Sequence, residues 1–166
     1  MGERRAGNVY DRAGPLRRLA QPLEVAQIRR WGRSLFSVLF RTPVLLLHTT
    51  GRRSGQERTT ALAFHEEAEG SLVVVGGANG QTRMPDWVHN LRADPEAAVT
   101  VRRDRRKVQA EELEGEQRDR LWPTLLDQWP RVEVYERRAG RPVPVFRFTF
   151  SGPLLDQRAA KAKNIG

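Results

Sequence analysis

The sequence contains no cysteine, and aromatic residues make up only 7% of its 166 residues. Without a thiol, the chain can form no disulfide, no thiolate metal site and no cysteine nucleophile. Its three histidines, His48, His65 and His89, do not have the spacing of zinc ligands, so we expect no bound metal. The missing cysteine is compatible with a reducing cytoplasm.

Long hydrophobic runs are also missing. No stretch approaches the roughly 18 apolar residues that a membrane-spanning helix needs. The N-terminus lacks the apolar core and the cleavage site of a signal peptide. We therefore expect a cytoplasmic protein that does not cross a bilayer. Hydrophobic residues account for 39% of the chain, which at this length suits one domain with a core of its own.

Acidic residues are scarce in the first third of the chain. Residues 1–53 hold eleven arginines against Glu3, Asp11 and Glu24, a balance of +8. The rest of the chain has 18 Lys and Arg against 17 acidic residues, so it adds only +1 to the total of +9. A basic segment of this kind predicts an anionic partner: nucleic acid, acidic lipid or an anionic ligand.

Two segments precede the predicted domain. Residues 1–22 combine Gly, Pro and many charges without periodicity and are interpreted as a flexible basic arm. Residues 23–41 predict an amphipathic helix with arginines largely off its apolar side. Either this helix packs on the domain, or it lies on an anionic membrane surface, since Arg with Trp and Phe is typical of interfacial helices. The apolar side consists of Ile28, Trp31, Leu35, Val38 and Leu39.

Residues 42–150 predict a barrel. The stretches "VLLLHTT", "ERTTALAFHEE", "LVVVGGA" and "VPVFRFTF" have the composition of strands, and "AAVTVRR" and "KVQAEEL" form a hairpin joined by "RDRR". About six antiparallel strands with helices between them favour a small closed barrel over a parallel sheet, because closure removes exposed edges. Residues 151–166 are interpreted as a tail.

Two helices are predicted within this domain, from "PDWVHNLRADP" and "GEQRDRLWPTLLDQWP". Pro85 suits the first helical position of the former, and Pro95 closes it. The second helix has an apolar inner face made of Leu121, Trp122, Leu125, Leu126 and Trp129.

The turn "GRRSGQ" between the first two strands places two adjacent cations between glycines. Glycine permits positive φ and a close approach of the backbone to a ligand. Exposed amides in such a turn form an anion-binding concavity, to which Arg52 and Arg53 add charge and bidentate geometry. The spacing is not that of a nucleotide P-loop. The turn is therefore either an anion site, which Arg58, Thr59 and Thr60 could extend, or a solvated basic hairpin.

Two further elements suggest a ligand. In "VVVGGANG" a strand ends at Gly76 and Gly77, where backbone rather than side chain faces a close neighbour, unless this is a plain loop. The helix start in "MPDWVHNL" offers free amides to an anion or a carbonyl oxygen, although Trp87 there is equally typical of core. The hairpin "RRDRRK" contains no aromatic residue, which favours a solvated tip over a nucleic-acid contact.

These elements together resemble the deazaflavin-dependent nitroreductases, a flavin/deazaflavin oxidoreductase group of split β-barrels, FMN-binding-like in fold, that bind coenzyme F420. The family pattern T-x-G-R-x-S-G-x-x-R-x-T-P, the V-V-x-x-S-x-G-G strand end and the P-x-W-x-x-N-L helix correspond to "TTGRRSGQERTTAL", "VVVGGANG" and "PDWVHNL". "YERRAGRPVPVFRF" is similar to the closing segment of the family. The resemblance covers residues 42–150.

The resemblance implies where the cofactor binds. Coenzyme F420 carries a phosphate and an oligoglutamate tail, and the Arg-Arg turn matches the positions that hold them. The following strand matches the wall along the cofactor, the glycine stretch its backbone contacts, and the helix start the surroundings of the deazaflavin. The cofactor-binding residues implied in this way are Arg52, Arg53, Ser54, Arg58, Thr59, Thr60, Ala61, Leu62, Ala63, Val75, Gly76, Gly77, Ala78, Asp86, Trp87, Val88, His89 and Asn90.

The chain departs from the family at two places. Ala61 stands where a proline is usual. Nitroimidazole-reducing relatives have a tyrosine two residues after the proline of "QWP", where this chain has Val132, with Tyr135 three residues further. These two residues are the implied substrate pocket, and no catalytic acid is assigned. His48 is interpreted as a structural histidine, and His89 either as a site residue or as solvent-facing.

The implied function is an F420-dependent oxidoreductase that passes a hydride from the reduced deazaflavin to an electron-poor acceptor: a quinone, an enone or a nitro compound. An FMN-dependent reductase on the same barrel and a non-catalytic cofactor or anionic-lipid binding protein are the alternatives. The expected partners are a small-molecule acceptor and no nucleic acid. The basic N-terminal segment adds a peripheral contact with the inner face of the membrane, and the family allows a homodimer.

Overall fold

The computed structural model describes residues 22–23, 25–27, 29–30, 43–77 and 80–155, with side chains up to residue 152. Several predictions concern residues outside these ranges: the arm, most of the amphipathic helix with its apolar side, and the tail beyond residue 155. Ala78 of the implied cofactor site also lies outside the described residues.

Six antiparallel strands close into a barrel, which confirms the predicted fold class. Each strand pairs with two neighbours in the order β1-β2-β3-β6-β5-β4, and β4 pairs with β1 to complete the ring. The last strand runs on past Phe150, where the sequence suggested that the domain ends. The strands are β1 Val44–Thr50, β2 Glu57–Glu66, β3 Leu72–Val75, β4 Glu96–Val101, β5 Asp104–Leu113 and β6 Val145–Leu155.

The core lies inside the barrel and follows from the alternation of apolar residues along the strands. Leu45 and Leu47 of β1 and Phe148 of β6 are completely buried there. Helix α1, Asp86–Ala93, adds Trp87 to this core, with its ring edge-on to Phe146 at 5.5 Å between centroids. Burial of such aromatic and aliphatic side chains stabilises the fold by about 1.5–3 kcal/mol each.

Two helices follow β5 along the chain. Helix α2, Gly115–Gln128, buries Leu125 against Val73 and Val145, which belong to a second apolar cluster on β3 and β6. Helix α3, Arg131–Ala139, was not predicted. Its many charges hide its periodicity, but a proline before it and Gly140 at φ +63° after it are the usual punctuation of a helix. None of the helices in the described ranges is long and apolar enough to span a membrane.

The turn between β4 and β5 differs from the prediction. "RDRR" was expected to join the strands, but the turn consists of Arg102 and Arg103 alone, and Asp104 already pairs with Val101. Both turn residues have positive φ, 49° and 83°. A two-residue hairpin with this geometry usually contains Asn or Gly, so the sequence gives no signal for it.

The described part of the N-terminal segment contacts the barrel. Its backbone is helical at residues 22–23, 25–27 and 29–30. The Arg29 guanidinium donates a hydrogen bond to the hydroxyl of Thr59 over 3.1 Å, and Arg103 donates to the carbonyl of Arg30 over 2.6 Å. At Arg29 and Arg30 the segment therefore contacts the barrel. This agrees with the interpretation that the predicted helix packs on the domain.

Candidate functional site

The Arg-Arg turn is shaped by its two glycines. The amide of Gly51 donates to the carbonyl of Gln56, and the amide of Gly55 donates to the carbonyl of Gly51. A Cβ at Gly51 would lie 2.8 Å from the Ser54 hydroxyl, and Gly55 has a φ of +65°. Since neither position tolerates a side chain without strain, the glycines fix the turn that presents Arg52 and Arg53 to solvent.

The side chain of Asn90 attaches this turn to α1. Its Oδ1 accepts the backbone N–H of Arg52 at 3.2 Å, and its Nδ2 donates to the hydroxyl of Thr49 at 3.1 Å. Asn90 is only 4% exposed, so these are bonds that water cannot replace. Two of the predicted site elements, the turn and the helix start, are thereby held together.

Ionic contacts link the same elements at the surface. The carboxylate of Asp86 lies 3.6 Å from the guanidinium of Arg52 and 3.2 Å from that of Arg83. Arg58 of β2 lies within 3.4 Å of the Ser54 hydroxyl. Arg83 was missed by the sequence analysis, although its position three residues before Asp86 is a spacing that lets opposite charges pair.

The predicted wall along β2 is partly accessible. Thr60, Ala61, Leu62 and Ala63 are half-buried, and Leu62 packs against the barrel core. The hydroxyl of Thr59, by contrast, is already bonded to Arg29. The part of β2 that lies nearest to the arginines of the turn is its first residues, as the contact between Arg58 and Ser54 shows.

The glycines after β3 are needed for contacts within the protein. The Gly76 amide donates to the carbonyl of Pro144, and a Cβ at Gly76 would lie 2.7 Å from that proline ring. A Cβ at Gly77 would lie 2.9 Å from the ring of Tyr135. The structure thus brings Tyr135 of α3 to the glycine stretch, whereas Val132, one turn earlier, is 5% exposed.

An arginine that the sequence analysis missed organises the loop between Gly77 and α1. The guanidinium of Arg141 donates to the carbonyls of Gln81, Thr82 and Arg83 over 3.2–3.4 Å. No local sequence pattern predicts this contact, because the partners are about sixty residues apart. The bonds orient the loop that leads into the helix start.

The helix start contributes side chains to the core as well as to the surface. Trp87 and Val88 are buried in the barrel core, so a ligand outside the barrel could meet only their backbone atoms. His89 is half-buried on the same helix. The interpretation of Trp87 as a core residue therefore describes its side chain correctly.

His48 is a structural histidine, as predicted. It is 5% exposed, with Nδ1 3.1 Å from the Thr59 hydroxyl and Nε2 2.9 Å from that of Thr100. Burial, together with the positive charge of Arg105, lowers the pKa of His48 to about 4, although nearby Glu57 opposes the shift. The ring is therefore neutral at physiological pH. His65 contacts the side-chain oxygen of Gln128 at 2.7 Å.

The Arg-Arg turn and the start of α1 share guanidinium and amide groups that can donate hydrogen bonds. Arg53, Arg58 and Arg83 are exposed around the turn and the helix start, and the side chain of Arg52 among them is 27% exposed. Such a set can bind an extended anion through charged, bidentate hydrogen bonds. Within the described ranges, no three His, Asp or Glu side chains are placed to hold a metal ion.

Comparison with known proteins identifies relatives of the chain. A family model described as F420H(2)-dependent quinone reductase matches residues 23–149. The chain is 36% identical over 110 residues to the F420H(2)-dependent quinone reductase Rv1261c of Mycobacterium tuberculosis, covering 64% of this chain and 73% of the relative.

Two solved structures at 31% identity share the fold. The structure of an F420-H2 dependent reductase, FDR-A, aligns with a TM-score of 0.58 over 64% of this chain and 94% of its own. A structure described as a domain-swapped dimer aligns with a TM-score of 0.59 over 64% of this chain and 80% of its own.

The Asn90 contacts predict a stability effect. Asn90→Ala should lower the free energy of unfolding by about 1–3 kcal/mol, because the Arg52 amide loses its buried acceptor. Combining it with Thr49→Val in a double-mutant cycle, followed by urea denaturation, should give a coupling energy of at least about 0.5 kcal/mol. Strictly additive effects would contradict a direct bond between the two side chains.

The environment of His48 predicts that acid destabilises the protein. Its pKa is about 4 when folded against 6.5 for the unfolded residue, so below pH 6.5 the unfolded chain binds the extra proton. The free energy of unfolding should therefore fall as pH drops from 6.5 toward 4, by about 3 kcal/mol. Denaturation of the wild type and of His48→Gln between pH 7 and 4.5 measures this, with His65→Gln as the control. An equally steep fall in His48→Gln would refute the assignment.

Proposed function

The chain belongs to the F420H(2)-dependent quinone reductase family, and we propose on that basis that it uses reduced coenzyme F420 to reduce a quinone. It is an oxidoreductase, so the alternative of a non-catalytic binding protein falls away. The FMN alternative is not needed either, because the family and the 36% identical relative are named for F420. Enones and nitro compounds share the electron-poor character of a quinone and are proposed as further acceptors.

The observation that carries the proposal is the basic turn held against the helix start by Asn90. Coenzyme F420 is anionic at its phosphate and oligoglutamate end, and the partly exposed side chain of Arg52 and the exposed Arg53 have the charge and geometry that such a group requires. Gly55 leaves open space where a Cβ would be, so backbone can approach a ligand there. The residues present therefore fit the cofactor.

We propose the following division of roles among the predicted residues. The Arg-Arg turn with Ser54 holds the phosphate and tail, and the β2 residues from Arg58 to Ala63 line the cofactor. Backbone at Val75–Gly77 and at the start of α1 orients the deazaflavin ring. When bound, the reduced cofactor supplies a hydride to the acceptor; the protein fixes the distance and orientation and excludes water.

On the acceptor side we favour Tyr135. Its ring lies against Gly77, next to the residues proposed to orient the deazaflavin. Val132, the other predicted pocket residue, has a buried side chain and acts in our proposal as packing behind the pocket. The relative described as a domain-swapped dimer supports a homodimer as the proposed assembly.

The double substitution Arg52→Ala and Arg53→Ala tests the cofactor site. Charged hydrogen bonds contribute about 1.5–3 kcal/mol each, so F420 affinity should fall roughly a hundredfold, and less at high salt. The fold should persist, because Asn90 bonds to the backbone rather than to the side chain of residue 52. Fluorescence titration with F420 measures the affinity.

A matched control removes the same charge elsewhere. Arg120 and Arg137 are exposed arginines of α2 and α3, and their double alanine variant should bind F420 as the wild type does. The wild type should also oxidise reduced F420 with a soluble quinone and should not bind FMN. Tight binding of FMN without binding of F420 would overturn the proposed function.

We also propose that the basic N-terminal segment attaches the protein reversibly to anionic membrane, which would bring a lipid-soluble quinone within reach. An acidic surface attracts each nearby basic residue by about 1 kcal/mol. The full chain should therefore sediment with acidic liposomes at low salt, and a version starting at Arg41 should not. If the full chain stays in the supernatant, the segment does not bind membrane and only packs on the barrel, through contacts such as those of Arg29 and Arg30.

A further inference from the structure

Asp86 places a carboxylate between two arginines of the candidate site, Arg52 and Arg83. Its Oδ1 lies 3.6 Å from Nη1 of Arg52, and its two oxygens lie 3.3 and 3.2 Å from Nη2 of Arg83. One acidic side chain thus bridges the basic turn and the loop before α1. The two arginines reach it from different parts of the chain.

The position of Arg83 is set by the fold. Arg141 donates to the carbonyl of Arg83 at 3.4 Å and to those of the two preceding residues, Gln81 and Thr82. These bonds hold the loop so that the Arg83 side chain points to the same carboxylate as Arg52. Arg83 is nonetheless 73% exposed, so its guanidinium is free to meet a ligand from solvent.

We propose that Arg83 is a further binding residue for the anionic end of the cofactor, and that Asp86 competes with that anion for Arg52 and Arg83. The inference rests on the proposed function and concerns the same site. In the free protein Asp86 neutralises part of the arginine charge. When the phosphate or the glutamate tail arrives, the arginines exchange the Asp86 carboxylate for the anion of the ligand.

Electrostatics gives the direction of this exchange. The phosphate and the glutamate carboxylates of the ligand together carry more negative charge than the single carboxylate of Asp86, so the ligand displaces Asp86 from the arginines. The displaced carboxylate stays close and repels the anion, which lowers the affinity. Asp86 is 62% exposed, and solvent therefore screens much of this repulsion.

In the free protein the carboxylate of Asp86 also stabilises helix α1. Asp86 is the first residue of α1, where a negative charge interacts favourably with the partial positive charge of the helix N-terminus. Removing the charge should therefore weaken the helix slightly while strengthening ligand binding. Opposite signs for stability and affinity distinguish competition from a purely structural role.

The test compares Arg83→Ala, Asp86→Asn and their combination with the wild type, using fluorescence titration with oxidised F420. We expect Arg83→Ala to bind about ten times more weakly, since it loses one charged contact. Asp86→Asn should bind about three to five times more tightly, with a slightly lower melting temperature. At about 1 M salt, where the screening length is near 3 Å, both effects should become smaller.

The pair Glu116 and Arg120 on α2 provides a matched control, because it is also an exposed carboxylate–arginine pair. Glu116→Gln and Arg120→Ala should leave the F420 affinity unchanged. A deazaflavin chromophore without phosphate and tail serves as a second probe, whose binding neither site variant should alter.

The outcomes separate this inference from the proposed function. If the wild type does not bind F420, the proposed function itself fails. If the wild type binds F420 but Arg83→Ala binds it equally well, Arg83 does not contact the anion. If Asp86→Asn binds no more tightly than the wild type, Asp86 does not compete. Equal shifts in the Glu116 and Arg120 variants would attribute the effect to net charge rather than to this site.

Discussion

The buried amide of Asn90 is the contact on which the geometry of the site depends. It ties the end of β1, the turn and α1 together through two hydrogen bonds, at Thr49 and Arg52. An unpaired amide in this position would cost more than the bonds contribute, so the contact is made or the local structure changes. Because the buried Asn90 side chain holds the backbone of the turn, the arginines of the turn can reach toward solvent and still have a fixed position relative to the helix start.

A second constraint comes from the glycines after β3. Both Gly76 and Gly77 are closed off by side chains of the same protein, a proline ring and the ring of Tyr135. Close packing between this stretch and α3 therefore positions Tyr135, on the proposed acceptor side, against the residues proposed to bind the cofactor. Arg141 adds the loop before α1 to the same assembly through three carbonyls. The proposed site is thus built from segments that are far apart in the chain but rigidly joined.

Several local features could not be predicted because their causes are not local. The turn at Arg102 and Arg103 adopts positive φ without Asn or Gly, since the register between β4 and β5 leaves only two residues for it. Helix α3 was overlooked because its charges obscure its apolar side, which is buried only once α2 and the barrel are in place. The carbonyl partners of Arg141 become visible only when the loop before α1 and the segment after α3 lie side by side.

The sequence by itself determined the class of the fold, the position of most strands and the segments that are proposed to face the ligand. These follow from alternating hydrophobicity, from glycine and proline signals and from short motifs, all of which act within a few residues. Only the tertiary structure decided which side chains of those motifs are buried, as for Trp87 and Val88, and which charges meet at the site. Burial and ionic contacts depend on distances between remote segments, and strand pairing and helix packing alone set those distances.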